Sequence, residues 1–152
     1  MNLIKKQSGI LLLAILLIVL MYQFPKSVVE NEVTKNKVVE TTSMESAINL
    51  LEGDNPMEGI FMLRDIVAKN PKNKQALYYL GDLSLQTGQY ENAIKRFNQV
   101  LSVDSSDKRA YLQLGISYYG LQDYEKANSF FQIIKELNDS TLIKELNIFL
   151  MN

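Results

Sequence analysis

The chain has 152 residues, enough for one ordinary domain and an appendage. Its formal charge is −1, from 16 basic and 17 acidic side chains, so it lacks the basic excess a phosphate-binding surface needs, and nucleic acid is not expected as a partner. Cys, His and Trp are absent, which excludes disulfides, thiol or imidazole catalysis and the usual zinc ligands.

The charge is uneven along the chain. Residues 1–40 carry five Lys and three Glu, while residues 41–152 carry 11 basic and 14 acidic side chains. Met1 to Ser8 is short and holds Lys5 and Lys6. Gly9 to Tyr22 follows without a charge, and from Ser8 to Phe24 the uncharged run is 17 residues. That is the lower edge for a membrane-spanning helix, roughly 17–25 residues, and the upper end for a signal-peptide core. Met21-Tyr22-Gln23-Phe24-Pro25-Lys26 offers no small-x-small cleavage pattern. An uncleaved signal anchor over residues 9–24 therefore fits better than a cleaved leader. The lysine pair predicts the first eight residues on the cytoplasmic side and the remainder outside, which in a bacterium is the periplasmic face of the inner membrane. Residues 25–39 mix Lys, Glu, Val, Asn and Thr without a 3.6 period and read as a solvated linker.

From Lys74 to Thr141 one 34-residue unit is written twice. A shift of 34 places Lys74 on Lys108, Ala76 on Ala110, Leu80-Gly81 on Leu114-Gly115, Tyr90-Glu91 on Tyr124-Glu125, Ala93 on Ala127 and Phe97 on Phe131. Self-similarity at a fixed period is the signature of a repeat architecture. A worn third copy begins at Glu40, with Ala47, Gly59, Leu63 and Pro71 at corresponding places. Asn55-Pro56 reads as an N-cap and first-turn Pro, Asn70-Pro71 as a helix stop, Thr87-Gly88 as a helix end and Asp123 as a cap. Leu142, Ile143, Leu146, Phe149 and Leu150 recur at helical spacing, so 140–150 is expected to be an amphipathic helix closing the stack.

These units resemble the tetratricopeptide repeat (TPR). With Lys74 and Lys108 as position 1, the family's Leu-Gly pair at 7 and 8, small residue at 20 and aromatic at 24 all fall in place. The resemblance implies an all-α, right-handed solenoid of about three helix-turn-helix repeats, 40–73, 74–107 and 108–141, in a domain over 40–152 closed by the last helix. The N-terminal transmembrane helix would tether it. Ser105 and Asp139 stand where the family has Pro at position 32, and Leu77 and Tyr111 where it often has Trp.

In this family the first helix of each unit lines a concave groove. The positions that tend to face it are Gln75, Tyr78, Tyr79, Asp82, Leu85 and Gln86 in the second copy, and Arg109, Leu112, Gln113, Ile116, Tyr119 and Gly120 in the third. Met44, Glu45, Ile48 and Leu51 correspond in the first. The candidate protein-binding residues are Tyr78, Asp82, Leu85, Gln86, Arg109, Leu112, Ile116 and Tyr119. They make an apolar, aromatic groove with one acid and one base, suited to an apolar or amphipathic segment of a partner. Family members that clamp a C-terminal carboxylate use Lys, Asn and Arg there, and only Arg109 offers such a group. Glu52-Gly53-Asp54-Asn55 lacks the spaced oxygens and closing Glu of a calcium loop. Asn138-Asp139-Ser140 matches a glycosylation sequon, read as accidental in a bacterial chain. No catalytic residue, cofactor or metal is expected, and the chain is not read as an enzyme. The expected function is a membrane-anchored scaffold, adaptor or chaperone-like holder in the bacterial cell envelope. The alternatives are an apocytochrome-holding maturation factor or a self-associating structural protein.

Overall fold

The computed structural model describes residues 43–151. The anchor expected at 9–24 and the linker at 25–39 lie outside them. Among the described residues, no helix is long and apolar enough to cross a membrane.

Seven helices follow one another among the described residues, joined by short turns. They are α1 (43–52), α2 (Pro56–Lys69), α3 (Lys74–Gln86), α4 (Tyr90–Val103), α5 (Lys108–Gly120), α6 (Tyr124–Glu136) and α7 (Ser140–Met151). The period is carried into the backbone: α3 and α5 start 34 residues apart at Lys74 and Lys108, as do α4 and α6 at Tyr90 and Tyr124. Helices α3 with α4, and α5 with α6, pair as hairpins; α4 stacks on α5, α2 on α3, and α7 closes against both α5 and α6. Among the described residues this is an all-helical solenoid of stacked helix pairs, as the 34-residue spacing implies.

Local chemistry sets the boundaries. Asn73, Asp107 and Asp123 each accept the backbone N–H three residues on, at 3.0, 3.1 and 3.2 Å, satisfying a donor the helix itself cannot. Asn55 was expected to do the same and does not. Its backbone lies at φ −128°, ψ 56°, away from the φ −67°, ψ 93° that aims the side chain of Asn73 at its first turn. Pro56 begins α2, and the carbonyl of Asn55 accepts from Glu58 and Gly59. Gly88, at φ 68°, ends α3, and Gln89 N–H reaches back to Ser84 O at 2.8 Å. Gln122 takes the same place after α5 at φ 62°, with Asp123 N–H on Tyr118 O at 3.0 Å, so the repeat keeps its turn without glycine.

The core runs along the stack in three linked clusters. Met44, Ala47, Leu63, Leu77 and Leu80 join α1 to α3; Ala93, Phe97 and Leu114 join α3, α4 and α5; Leu112, Ala127, Phe131, Ile134 and Leu146 join α5, α6 and α7. The repeated small and aromatic positions explain the close approach. A Cβ on Gly81 would lie 2.7 Å from the Phe97 ring, and one on Gly115 would lie 2.5 Å from the Phe131 ring. Each aromatic therefore fills the space that its own unit's glycine leaves open. In the first unit, a Cβ on Gly59 would meet the Ala47 carbonyl oxygen at 2.7 Å. There the small residue lets the second helix press on the backbone of the first.

Candidate functional site

The first helices of the second and third units border a cleft of about 490 Å³, lined by Lys74, Gln75, Tyr78, Tyr79, Asp82 and Arg109. Helical spacing puts Lys74, Gln75, Tyr78, Tyr79 and Asp82 on one side of α3, and Arg109 reaches in from the first turn of α5. Adjacent Tyr78 and Tyr79 both border it.

The charges in the cleft are already paired. Arg109 Nη2 donates to Asp82 Oδ2 at 3.2 Å, and its guanidinium lies 5.1 Å from the centre of the Tyr78 ring. Lys74 Nζ is 2.9 Å from a carboxylate oxygen of Asp104 and 2.9 Å from one of Asp107. The Tyr78 hydroxyl donates to Asp107 Oδ1. Asp107 thus caps α5, anchors Tyr78 and holds Lys74. Burial raises the Asp82 carboxyl above its usual range, against the pull of Arg109. Burial, with the hydrogen bond to Asp107 adding, pushes the Tyr78 hydroxyl far up, so it stays a donor at any physiological pH.

The acid response of this cluster follows from its carboxylates. Hydrogen bonds from Lys74 and Ser106 hold Asp104 down to about 2. Burial opposes ionisation of Asp107, but hydrogen bonds from Tyr78, Lys74 and the Ala110 amide outweigh it and hold the group below its ordinary value. A depressed carboxyl contributes stability above its unfolded pKa of about 3.9, and the contribution is lost as pH falls through the folded value. Urea midpoints should therefore fall between about pH 4 and pH 2. Lys74→Met should flatten that segment, because both carboxyls then titrate nearer their unfolded values; an unchanged slope would remove Lys74 from the cluster.

Of the eight residues expected to line a groove, the cleft gathers Tyr78, Asp82 and Arg109 and adds Lys74, Gln75 and Tyr79. Leu85 is half-buried against the Ala93, Phe97 and Leu114 cluster. Gln86 is exposed at the end of α3, outside the cleft lining. Leu112 is fully buried beneath α7, so it presents no surface to a partner; the capping helix takes the space that the expectation left for one. Ile116 packs half-buried against the same cluster. Tyr119 is 42% exposed, its ring edge-on to Tyr124 and Phe149 with centroids 5.1 and 5.3 Å apart. Buried Gln113 faces Glu145 of α7 at 3.5 Å. Lys74, absent from the expected groove set, carries one signal in the sequence: like Lys108, it opens a first helix and meets an acid about 30 residues on, Asp104 for one and Asp139 for the other.

Comparison with known proteins agrees with this architecture. The family model described as TPR repeat matches residues 81–122, and two described as tetratricopeptide repeat match residues 45–99 and 109–140. A TPR repeat-containing protein of Methanocaldococcus jannaschii, MJ1428, is 33% identical over 75 residues, covering 48% of this chain and 12% of that relative. Among solved structures, the MamA RS-1 ArsTM double mutant superposes with a TM-score of 0.61 at 21% identity, over 72% of this chain and 63% of that one. The second TPR of Spaghetti (RPAP3), bound to the HSP90 peptide SRMEEVD, superposes with a TM-score of 0.60 at 19% identity, over 70% of this chain and 98% of that one. Together the three models match residues 45–140, so the solenoid over those residues is built of tetratricopeptide repeats.

Proposed function

We propose that the cleft between α3 and α5 receives an extended segment of another protein, and that the chain works as a membrane-tethered adaptor or holder in the bacterial cell envelope. The observation that carries the first part is the open cleft walled by Tyr78 and Tyr79. The tether rests on the uncharged stretch Ser8 to Phe24 behind Lys5 and Lys6.

The chemistry of the partner follows from the pairing within the cleft. Lys74 and Arg109 are neutralised by Asp104, Asp107 and Asp82, so neither offers an unmatched positive charge. A carboxylate-rich segment would have to displace these acids and then face them. An uncharged or weakly basic amphipathic segment fits instead. Its apolar side chains would lie on the tyrosine rings, and its backbone would meet the amide of Gln75. The acidic peptide SRMEEVD, held by the Spaghetti domain, is not expected to bind here.

The test is photo-crosslinking from position 75 of the full chain in intact cells. Adducts with other proteins are expected, and Tyr79→Ala should remove most of them at temperatures where the variant is still folded by circular dichroism, since its ring also packs on the core. One dominant adduct would make the chain an adaptor; a spread of exported chains would make it a holder. Capture that survives both Tyr79→Ala and Arg109→Glu would overturn the assignment of the cleft.

A further inference from the structure

The outward face of α2 does not match its counterparts. Met57 is 59% exposed and Phe61 is 56% exposed. One period on, the same exposed places on α4 hold Glu91 and Lys95, and two periods on, those on α6 hold Glu125 and Ser129. Where two repeats show charge and hydroxyl to water, the first shows a thioether and a phenyl ring. Arg64 and Ala68 continue the stripe at helical spacing, and the Arg64 guanidinium lies 5.9 Å from the Phe61 ring centre. A two-turn apolar stripe at such positions marks an interaction surface. None of these residues lines the cleft.

The charges at the two ends of this face differ in sign. Asp54 and Glu58 sit at its N-terminal end, and Lys69 and Lys72 at its C-terminal end, with the acid Asp65 one turn before Lys69, all exposed. We propose that α2 packs antiparallel against α2 of a second copy of this chain, across a two-fold axis near residues 62–63. A two-fold contact brings one patch onto itself, and the antiparallel sense is the one in which it is self-complementary. Phe61 of each copy then lies against Arg64 of the other, Met57 against Ala68, and Glu58 faces Lys69. A parallel pairing would set Glu58 on Glu58 and Lys69 on Lys69. One pair of 14-residue helices buries less than the roughly 1,600 Å² of a standard interface, so the dimer is weak and concentration-dependent.

The chain has no cysteine, so one introduced thiol reports on one place. Arg64→Cys keeps Met57 and Phe61 and puts the thiol beside the axis; Asn98→Cys is its counterpart on α4. With a short bismaleimide and the full chain in mild detergent, dimer is expected from position 64 and not from 98. Adding Phe61→Asp should move the cross-linking midpoint to at least about tenfold higher protein concentration. Adding Glu58→Lys should lower the yield, and Glu58→Lys with Lys69→Glu should restore it. Equal yields from 64 and 98, or no recovery in the charge swap, would overturn the proposal. All these positions are exposed, so the fold is expected to survive each change.

Discussion

Gly115→Leu should destabilise the repeat domain by about 3 kcal/mol or more, the upper end of the range for overpacked cores. A β-carbon at 115 alone would stand 2.5 Å from Phe131 Cε1, 2.7 Å from its Cδ1 and 3.2 Å from the Cβ of Phe130. The Phe131 ring is 3% exposed and has Phe149 on one side at 6.2 Å between centroids, so it has little room to retreat. Any side chain in mid-helix improves on glycine by up to about 1 kcal/mol of helix propensity, which is too small to offset the clash. Thermal melting and urea unfolding check the size of the loss. A double-mutant cycle checks its cause. Phe131→Ala alone should cost about 3–5 kcal/mol. If the glycine exists to admit that ring, Gly115→Leu with Phe131→Ala should cost clearly less than the two added together. Strict additivity would mean that the glycine serves something other than the ring.

This pairing of glycine with ring is the part of the fold that the amino-acid order states most openly. Small residues at 81 and 115, and aromatics at 97 and 131, recur because two helices cannot approach closely without them. The 34-residue spacing therefore carries the architecture. The helix stops are legible for the same reason: Gly88 at φ 68° and the caps Asp107 and Asp123 are each a local solution to an orphaned backbone group. The cleft was less legible. A position within a repeat names the face of a helix, but not what stands opposite it. Asp82 and Arg109 both read as groove residues, yet their pairing across 27 residues arises only when α5 lies beside α3. Lys74 is not legible as a cleft residue, because a lysine at the start of a helix has no visible partner until Asp104 and Asp107 come round. Asn55 shows the limit of local reasoning, since the right residue at the right place still does not cap when its backbone is turned away.

Leu112 is the sharpest case, and Leu112→Glu should cost about 4 kcal/mol or more at neutral pH. At a groove wall, a charge would cost little stability and would disturb only the partner. In the structure Leu112 is 0% exposed, among Ala127, Phe131, Ile134 and Leu146. The change removes a buried isobutyl group, worth about 2–5 kcal/mol even as Leu→Ala, and leaves a carboxylate in a setting that cannot solvate it. Urea unfolding of the variant checks the size. Its pH dependence checks the mechanism, because the new group should titrate above its unfolded value of about 4.3. A carboxyl raised in the folded state costs nothing below its unfolded value, where both states bind the proton, and the cost grows as pH rises through the folded value. The gap between variant and wild type should therefore narrow as pH falls from 7 towards about 4, before Asp104 and Asp107 begin to weaken both proteins. A gap that stays constant over that interval would place position 112 in water, and α7 would then not cover α5. The same burial governs how the cleft is tested. A Leu112 variant that loses partner capture reports a damaged fold, whereas Tyr79→Ala acts on a partly buried ring that packs on the Leu77 and Leu80 cluster with one side and borders the cleft with the other.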